Sequence, residues 1–349
     1  MGLGPGNHEV RKLQLTGGST FTVSLPKPWV VKNNLLPRDS IRVDWRPSGA
    51  LRITPLNVED HTMSQARFNH ETLPQNSLHD HLMGAYISGA DLIVVDFSPA
   101  HKQKLQAEVR HFLRSTRGFE IIDETEKNIA LKCLFKAGDM PLHASLNRMY
   151  LQLTSLIRDI SSLFEGGDID FIADAHEREA EVDALLYLIE RQARILLDSH
   201  LVATRLKLSR VQGLEYANLA RALERMMDHA YKISALILED PDILTHLVGM
   251  GPVRQLPEWQ SALKELMINI RTRDSERIEL ARGDLKTLQQ TLLEYEHNLM
   301  QQHRQNKWMT SSIRMSESVR RLCAYSRDFG EVLLNMMISA EMTRTLEEV

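Results

Sequence analysis

The chain runs to 349 residues, 43% of them apolar and 25% charged, a balance ordinary for folded globular domains and a length sufficient for two or three of them, each with its own core. No apolar run approaches the ~18 residues of a membrane-crossing helix, and the opening MGLGPGNHE lacks the basic and apolar regions of a secretory signal, so a cytoplasmic protein is expected. The net charge of −4 hides an asymmetry: residues 1–56 carry eight Lys/Arg against three acids, or +5, leaving −9 on everything after them, the division expected of a basic module that meets a polyanion ahead of an acidic body.

Residues 9–56 read as short strands and turns. Val10–Leu15 and Phe21–Leu25 flank Thr16-Gly-Gly-Ser19, a glycine hairpin turn. Pro26 and Pro28 open a short helix through Trp29–Val31 that ends at Asn33-Asn34, and Ser40–Trp45 pairs with Ala50–Thr54 around Pro47-Ser-Gly49. The run RKLQLTGGSTFTVSLPKPWV, followed by Leu36-Pro-Arg-Asp-Ser-Ile-Arg-Val43, resembles the AbrB/MazE/SpoVT swapped-hairpin DNA-binding domain. The resemblance implies a homodimer in which two chains interlock into one small β-barrel, with Arg11, Lys12, Lys27, Lys32 and Arg38 as contacts to DNA phosphates. Without it, the five residues read as scattered surface cations on an oligomerisation module.

Residues 57–76 are polar, contain Pro74 and lack periodicity, so they read as a linker. His61, His70, His79 and His81 read as solvated, since no second cluster completes a metal site. Residues 77–140 form a small α/β connecting module: a short helix over His79–Ile87, a buried strand over Asp91–Phe97, an amphipathic helix from Pro99 to about Arg117, and a hairpin of Gly118–Ile122 with Asn128–Phe135. No catalytic constellation falls here. Cys133 and Cys323, with no CxxC beside them, read as buried free thiols.

From Pro141 onward the pattern is helical. The spacing predicts helices over 142–164, 169–201 and 214–238, a break rich in Gly and Pro at 245–257, then three more, giving repeats at 141–243 and 256–341 within a domain of 141–349. The second predicted helix keeps Ile172, Ala175, Val182, Leu186, Ile189, Ala193 and Leu196 on one stripe. Glu179 lies on that stripe with Asp183 one turn later, and Glu224 and Asp228 form a second i,i+4 acid pair on the third helix. Such a pair costs ~0.2–0.5 kcal/mol in repulsion, and a carboxylate on a buried stripe needs a partner. If the two helices are neighbours, four carboxylates make an oxygen-rich site for a hard or borderline cation; if they are not, the pairs are solvated helix faces.

Glu224-Arg-Met-Met-Asp-His229 and Glu177-x-Glu-x-x-Val-Asp183 resemble the helix motifs of the PhoU family of phosphate-signalling regulators. The resemblance implies two three-helix repeats and a non-enzymatic regulator. It implies a metal ion or cluster of iron or zinc, or magnesium, on Glu179, Asp183, Glu224 and Asp228. It also implies partnership with a phosphate transporter ATPase or signalling protein and, through the N-terminal module, with promoter DNA of phosphate-responsive genes. One departure is Lys232, which stands where the family motif usually has Asn. In the second half, Arg320 and Ala324 replace the acids of the Glu224 motif, so at most one metal site per chain is expected. The whole is expected to be an α+β multidomain protein. Two other readings remain: a scaffold that acts on a transporter without DNA, and a di-iron oxidase, for which the helical half offers only one Glu-x-x-His, Glu294–His297, against the two required.

Overall fold

The structure, a computed structural model, describes residues 9–45, 50–56, 63–247, 251–302 and 308–342. The expected turn at Pro47–Gly49 and the linker histidine His61 lie outside these residues. The chain divides into two compact units near residue 63, and each is described by itself.

In the N-terminal unit, β1 (Gln14–Thr16) and β2 (Thr20–Thr22) form one antiparallel hairpin, α1 (Lys27–Lys32) follows, and β3 (Ile41–Trp45) and β4 (Leu51–Pro55) form another. Gly17 and Gly18 adopt φ of +64° and +81°, so the Thr16-Gly-Gly-Ser19 turn needs residues without a Cβ penalty. The two hairpins remain separate two-stranded sheets and close no barrel among the described residues of one chain; the barrel expected from the sequence is one shared by two chains. The reason is material: two hairpins and one helical turn offer too little surface to bury their own apolar faces, and Leu15, Phe21 and Trp45 are 61%, 69% and 82% exposed.

The second unit opens with a four-stranded sheet. β5 (Gln65–Asn69) runs parallel to β6 (Leu92–Asp96) through the crossover helix α2 (Leu78–Ile87), and after α3 (Lys102–Ser115) the antiparallel strands β7 (Phe119–Glu124) and β8 (Asn128–Cys133) complete the order β5-β6-β8-β7. The stretch expected to be a linker therefore contributes a strand. One face of the sheet, Ile93, Val95, Ile129 and Leu131, is fully buried in a core with Leu82 and Tyr86 of α2 and Leu105, Val109 and Phe112 of α3. β5 thus joins the strands of residues 77–140 in one sheet.

The helical half begins with α4 (Leu142–Leu163). α5 (Ala175–Asp198) and the short α6 (His200–Leu206) occupy the span expected as one helix; the break falls at Ser199, whose backbone is extended and whose side chain accepts from the Val202 amide. α7 (Arg210–Glu239) closes the first repeat; it starts earlier than expected because Ser209 and Gln212 form a capping box. After α8 (Ile243–His246), helices α9 (Leu256–Thr272), α10 (Ser275–Gln302) and α11 (Met309–Glu341) make the second triplet. A single core joins both triplets, with α7 and α11 packed along each other. All seven residues of the stripe through Ile172 and Leu196 are buried.

α5 also packs against α2 and α3. Arg191, 3% exposed, donates to the Tyr86 carbonyl at 2.7 Å and stands 3.5 Å from Asp91, with its guanidinium over the rings of Tyr86 and Phe119. Next to it, Gln192 donates to the carbonyls of Ala137 and Met140. One helix thus carries an acid pair in its first half and the anchorage of the α/β module in its second.

Candidate functional site

α5 and α7 lie side by side, and the two acid pairs face one another across the seam. The acids of each pair sit one helical turn apart on their own helix, above a floor of Val182, Leu186, Leu223 and Met227, the methionine having no solvent exposure. The floor fixes the acids: with the stripe turned inward, residues flanking it are held half-buried at the seam's edge. Glu179, Asp183, Glu224 and Asp228 are all half-buried.

Their electrostatics show the convergence. Burial, then Asp228 and Asp183, push the Glu224 carboxyl up to about 7. Burial, then Glu179 and Asp228, push Asp183 up to about 6. Glu179 is raised by burial and by Asp228, against a lowering pull from His176. Across the helix pair, Glu179 and Asp183 act on Glu224, and Asp228 acts on both Glu179 and Asp183.

Two basic side chains stand at the margin. Lys232 Nζ is 3.9 Å from Asp228 Oδ2, and the exposed His176 Nδ1 is 3.5 Å from Glu179 Oε2. Arg225 and His229, adjacent in sequence to the α7 acids, turn away toward α11. The Arg225 guanidinium lies 5.6 Å from the centre of the Tyr325 ring and the His229 ring 5.9 Å from it. His229 Nδ1 is buried without a hydrogen-bond partner, and burial, then Lys232 and Arg321, lower its pKa to about 4.

Among the described residues, no three His, Cys, Asp or Glu side chains are grouped closely enough to hold a metal ion as they stand. The quartet is a set of repelling neighbours rather than a closed cage. In donor chemistry it fits a hard or borderline cation, because all its ligating atoms are carboxylate oxygens.

The second repeat differs at the parallel place. Arg320 on α11 pairs with Glu296 on α10 at 3.3 Å, and Glu296 is only 9% exposed. An ion pair stands where the first repeat sets acid against acid. Glu296 escapes notice in the sequence because it lies one position off the stripe formed by Leu292, Tyr295 and Leu299. His297 of the Glu-x-x-His on α10 is exposed and bonded to Gln301.

The five N-terminal cations are all exposed. Arg11 is paired with Glu9; Lys27 and Lys32 end α1; Arg38 lies in a turn with φ of +78°. The histidines expected to be solvated make ring pairs instead, His70 with His101 at 5.1 Å and His79 with His111 at 4.6 Å between centres. His101 and His111 come from α3 and the turn before it, so only the tertiary fold reveals the pairs.

Residues 146–237, which contain the whole quartet, match the PhoU domain family. No curated protein matches the chain. The match makes the first repeat PhoU-like and links the helical half to phosphate regulation. No helix among the described residues is long and apolar enough to cross a membrane.

Proposed function

We propose that this chain is a non-enzymatic regulator of phosphate uptake or phosphate signalling, in which a PhoU-like helical half responds to a cation and a basic N-terminal unit grips DNA as a homodimer. The observation that carries the reading is the convergence of Glu179, Asp183, Glu224 and Asp228 inside the segment that matches PhoU. A bound cation would supply the positive charge that offsets their repulsion. Glu179 and Asp183 would hold it from α5, Glu224 and Asp228 from α7, and Lys232 would give up its contact with Asp228. Iron, zinc and magnesium are the ions to test.

Elemental analysis after loading with each ion in turn, beside a Glu224→Gln/Asp228→Asn variant, tests this half. The reading expects bound ion in the wild type and its loss in the variant; equal content in both removes the quartet from consideration.

For the N-terminal half, support comes from the +5 charge of residues 1–56 and from the apolar side chains that one chain leaves exposed. A second copy would cover them. Two copies of Arg11, Lys12, Lys27, Lys32 and Arg38 offer ten phosphate contacts, for which the slope of log affinity against log salt approaches about −9. DNA affinity that stays flat as salt rises would leave the scaffold reading, in which the chain acts on a transporter or signalling partner through its helices alone.

A further inference from the structure

Between α9 and α10 runs an open groove of about 570 Å³. It exists because the residues meeting at the seam are small: Ala262 from α9 and Ala281 from α10, with Leu288 completing an apolar floor. Its walls are acidic. Glu258 rises from α9 and Asp284 from α10, both exposed and neither in an ion pair among the described residues. The one cation of the lining, Arg277, is already held by Glu265 at 3.3 Å and Asp274 at 3.5 Å. Leu280 stands at the rim, 67% exposed.

The first repeat shows how such a seam is closed. Between α4 and α5, Arg148 and Gln152 donate to Glu181, and Arg117, reaching in from the α/β module, stands 3.7 Å from the same carboxylate. A cation from an outside element thus caps an acid on the seam. The seam between α9 and α10 carries the acids and no capping element among the described residues.

We propose that the α9–α10 groove docks a cationic amphipathic helix of a partner protein, its apolar face on Ala262, Ala281 and Leu288 and its Lys or Arg side chains toward Glu258 and Asp284. The open shape suits a protruding helix laid into a groove. Charge complementarity chooses the sign of the partner, and Leu280 supplies an apolar edge beside the acidic walls. The proposal does not depend on the cation reading of the acid quartet, which lies on other helices.

The test uses the full chain and a fluorescein-labelled synthetic helix of about 18 residues, long enough to be helical alone, with Leu at i, i+3, i+4 spacing and Lys elsewhere. Anisotropy titrations are run with this probe and with a version interrupted by two prolines, against the wild type, Leu280→Ser and three double variants. Glu258→Lys/Asp284→Lys should weaken binding at least about tenfold, and Leu280→Ser by a smaller factor, as for a rim contact. The same charge change placed on β7, Glu120→Lys/Asp123→Lys, should leave affinity within about twofold, as should Glu224→Gln/Asp228→Asn. The proline-broken probe should bind at least about tenfold more weakly. The proposal is overturned if the helical probe fails to bind, if the groove and β7 variants lose affinity equally, or if the broken probe binds as well as the intact one. Equal ion content in the wild type and the Glu224→Gln/Asp228→Asn variant, with probe binding intact, would sink the cation reading alone.

Discussion

Glu224 and Asp183 retain protons in a pH range where ordinary carboxylates have lost them, at about 7 and about 6 against 4.5 and 3.8 for the free groups. Folded-state values above the unfolded ones mean that the native chain binds more protons between about pH 4 and 7, so stability falls as pH rises through that window. His229 has the opposite sign: its folded value of about 4 lies below the usual 6.5, so its contribution is complete above 6.5 and is lost as pH falls toward 4. Glu224→Gln should therefore stabilise the cation-free protein at pH 8 by ~1–2 kcal/mol, after discounting for partial solvent exposure, and by nothing at pH 4. His229→Gln should flatten the acid limb only. Urea unfolding from pH 4 to 8 reads both. A Glu224→Gln variant no more stable than wild type at pH 8 would mean that the four carboxylates are solvated independently.

At the scale of elements, α5 is the member on which the others depend, because it presents Glu179 and Asp183 to α7 and Arg191 to the sheet module. Arg191→Met should cost about 2–4 kcal/mol by leaving the Tyr86 carbonyl without its donor and Asp91 without its cation, and Arg191→Lys should recover only part, since a lysine cannot lie flat over the Tyr86 and Phe119 rings. Chemical denaturation of the three proteins gives the ordering. α7 depends at its start on the Ser209–Gln212 box, and Ser209→Ala should cost about 1 kcal/mol. That box is a local signal, visible in the sequence as Ser-x-x-Gln, and weighing it would have moved the helix start back from Leu214. The stripe of α5 is legible for the same reason: a helix buried on one side writes its packing into a 3-4 repeat. β5 was not legible. Only Ala66 and Phe68 of its five residues turn inward, and its parallel partner β6 is reached through a crossover helix, so no short-range pattern marks it. The quartet could be anticipated because acids beside a buried stripe are costly. The departure of Arg225 and His229 toward Tyr325 could not, since the ring that draws them lies on α11, in the other repeat.

At the scale of the whole molecule, the two units differ in how complete they are as single chains. The second unit buries its own core; the first leaves Val10, Leu13, Leu15, Phe21 and Trp45 at 61–89% exposure. An isolated pair of hairpins is marginal in water, so the N-terminal unit should owe its fold to association, and its unfolding temperature should rise with protein concentration while that of the helical unit stays fixed. Phe21→Asp places a charge on the face a sister copy would cover and should convert dimer to monomer in sedimentation equilibrium with the helical signal in circular dichroism preserved. Arg11→Glu/Lys12→Glu should do the reverse, keeping the dimer while abolishing DNA binding, because its charges lie outside the apolar set. The pair of variants separates the two roles assigned to one small segment: a wild-type chain monomeric at every concentration removes the shared barrel, whereas a dimer indifferent to the Arg11 and Lys12 reversal keeps the barrel and removes the DNA.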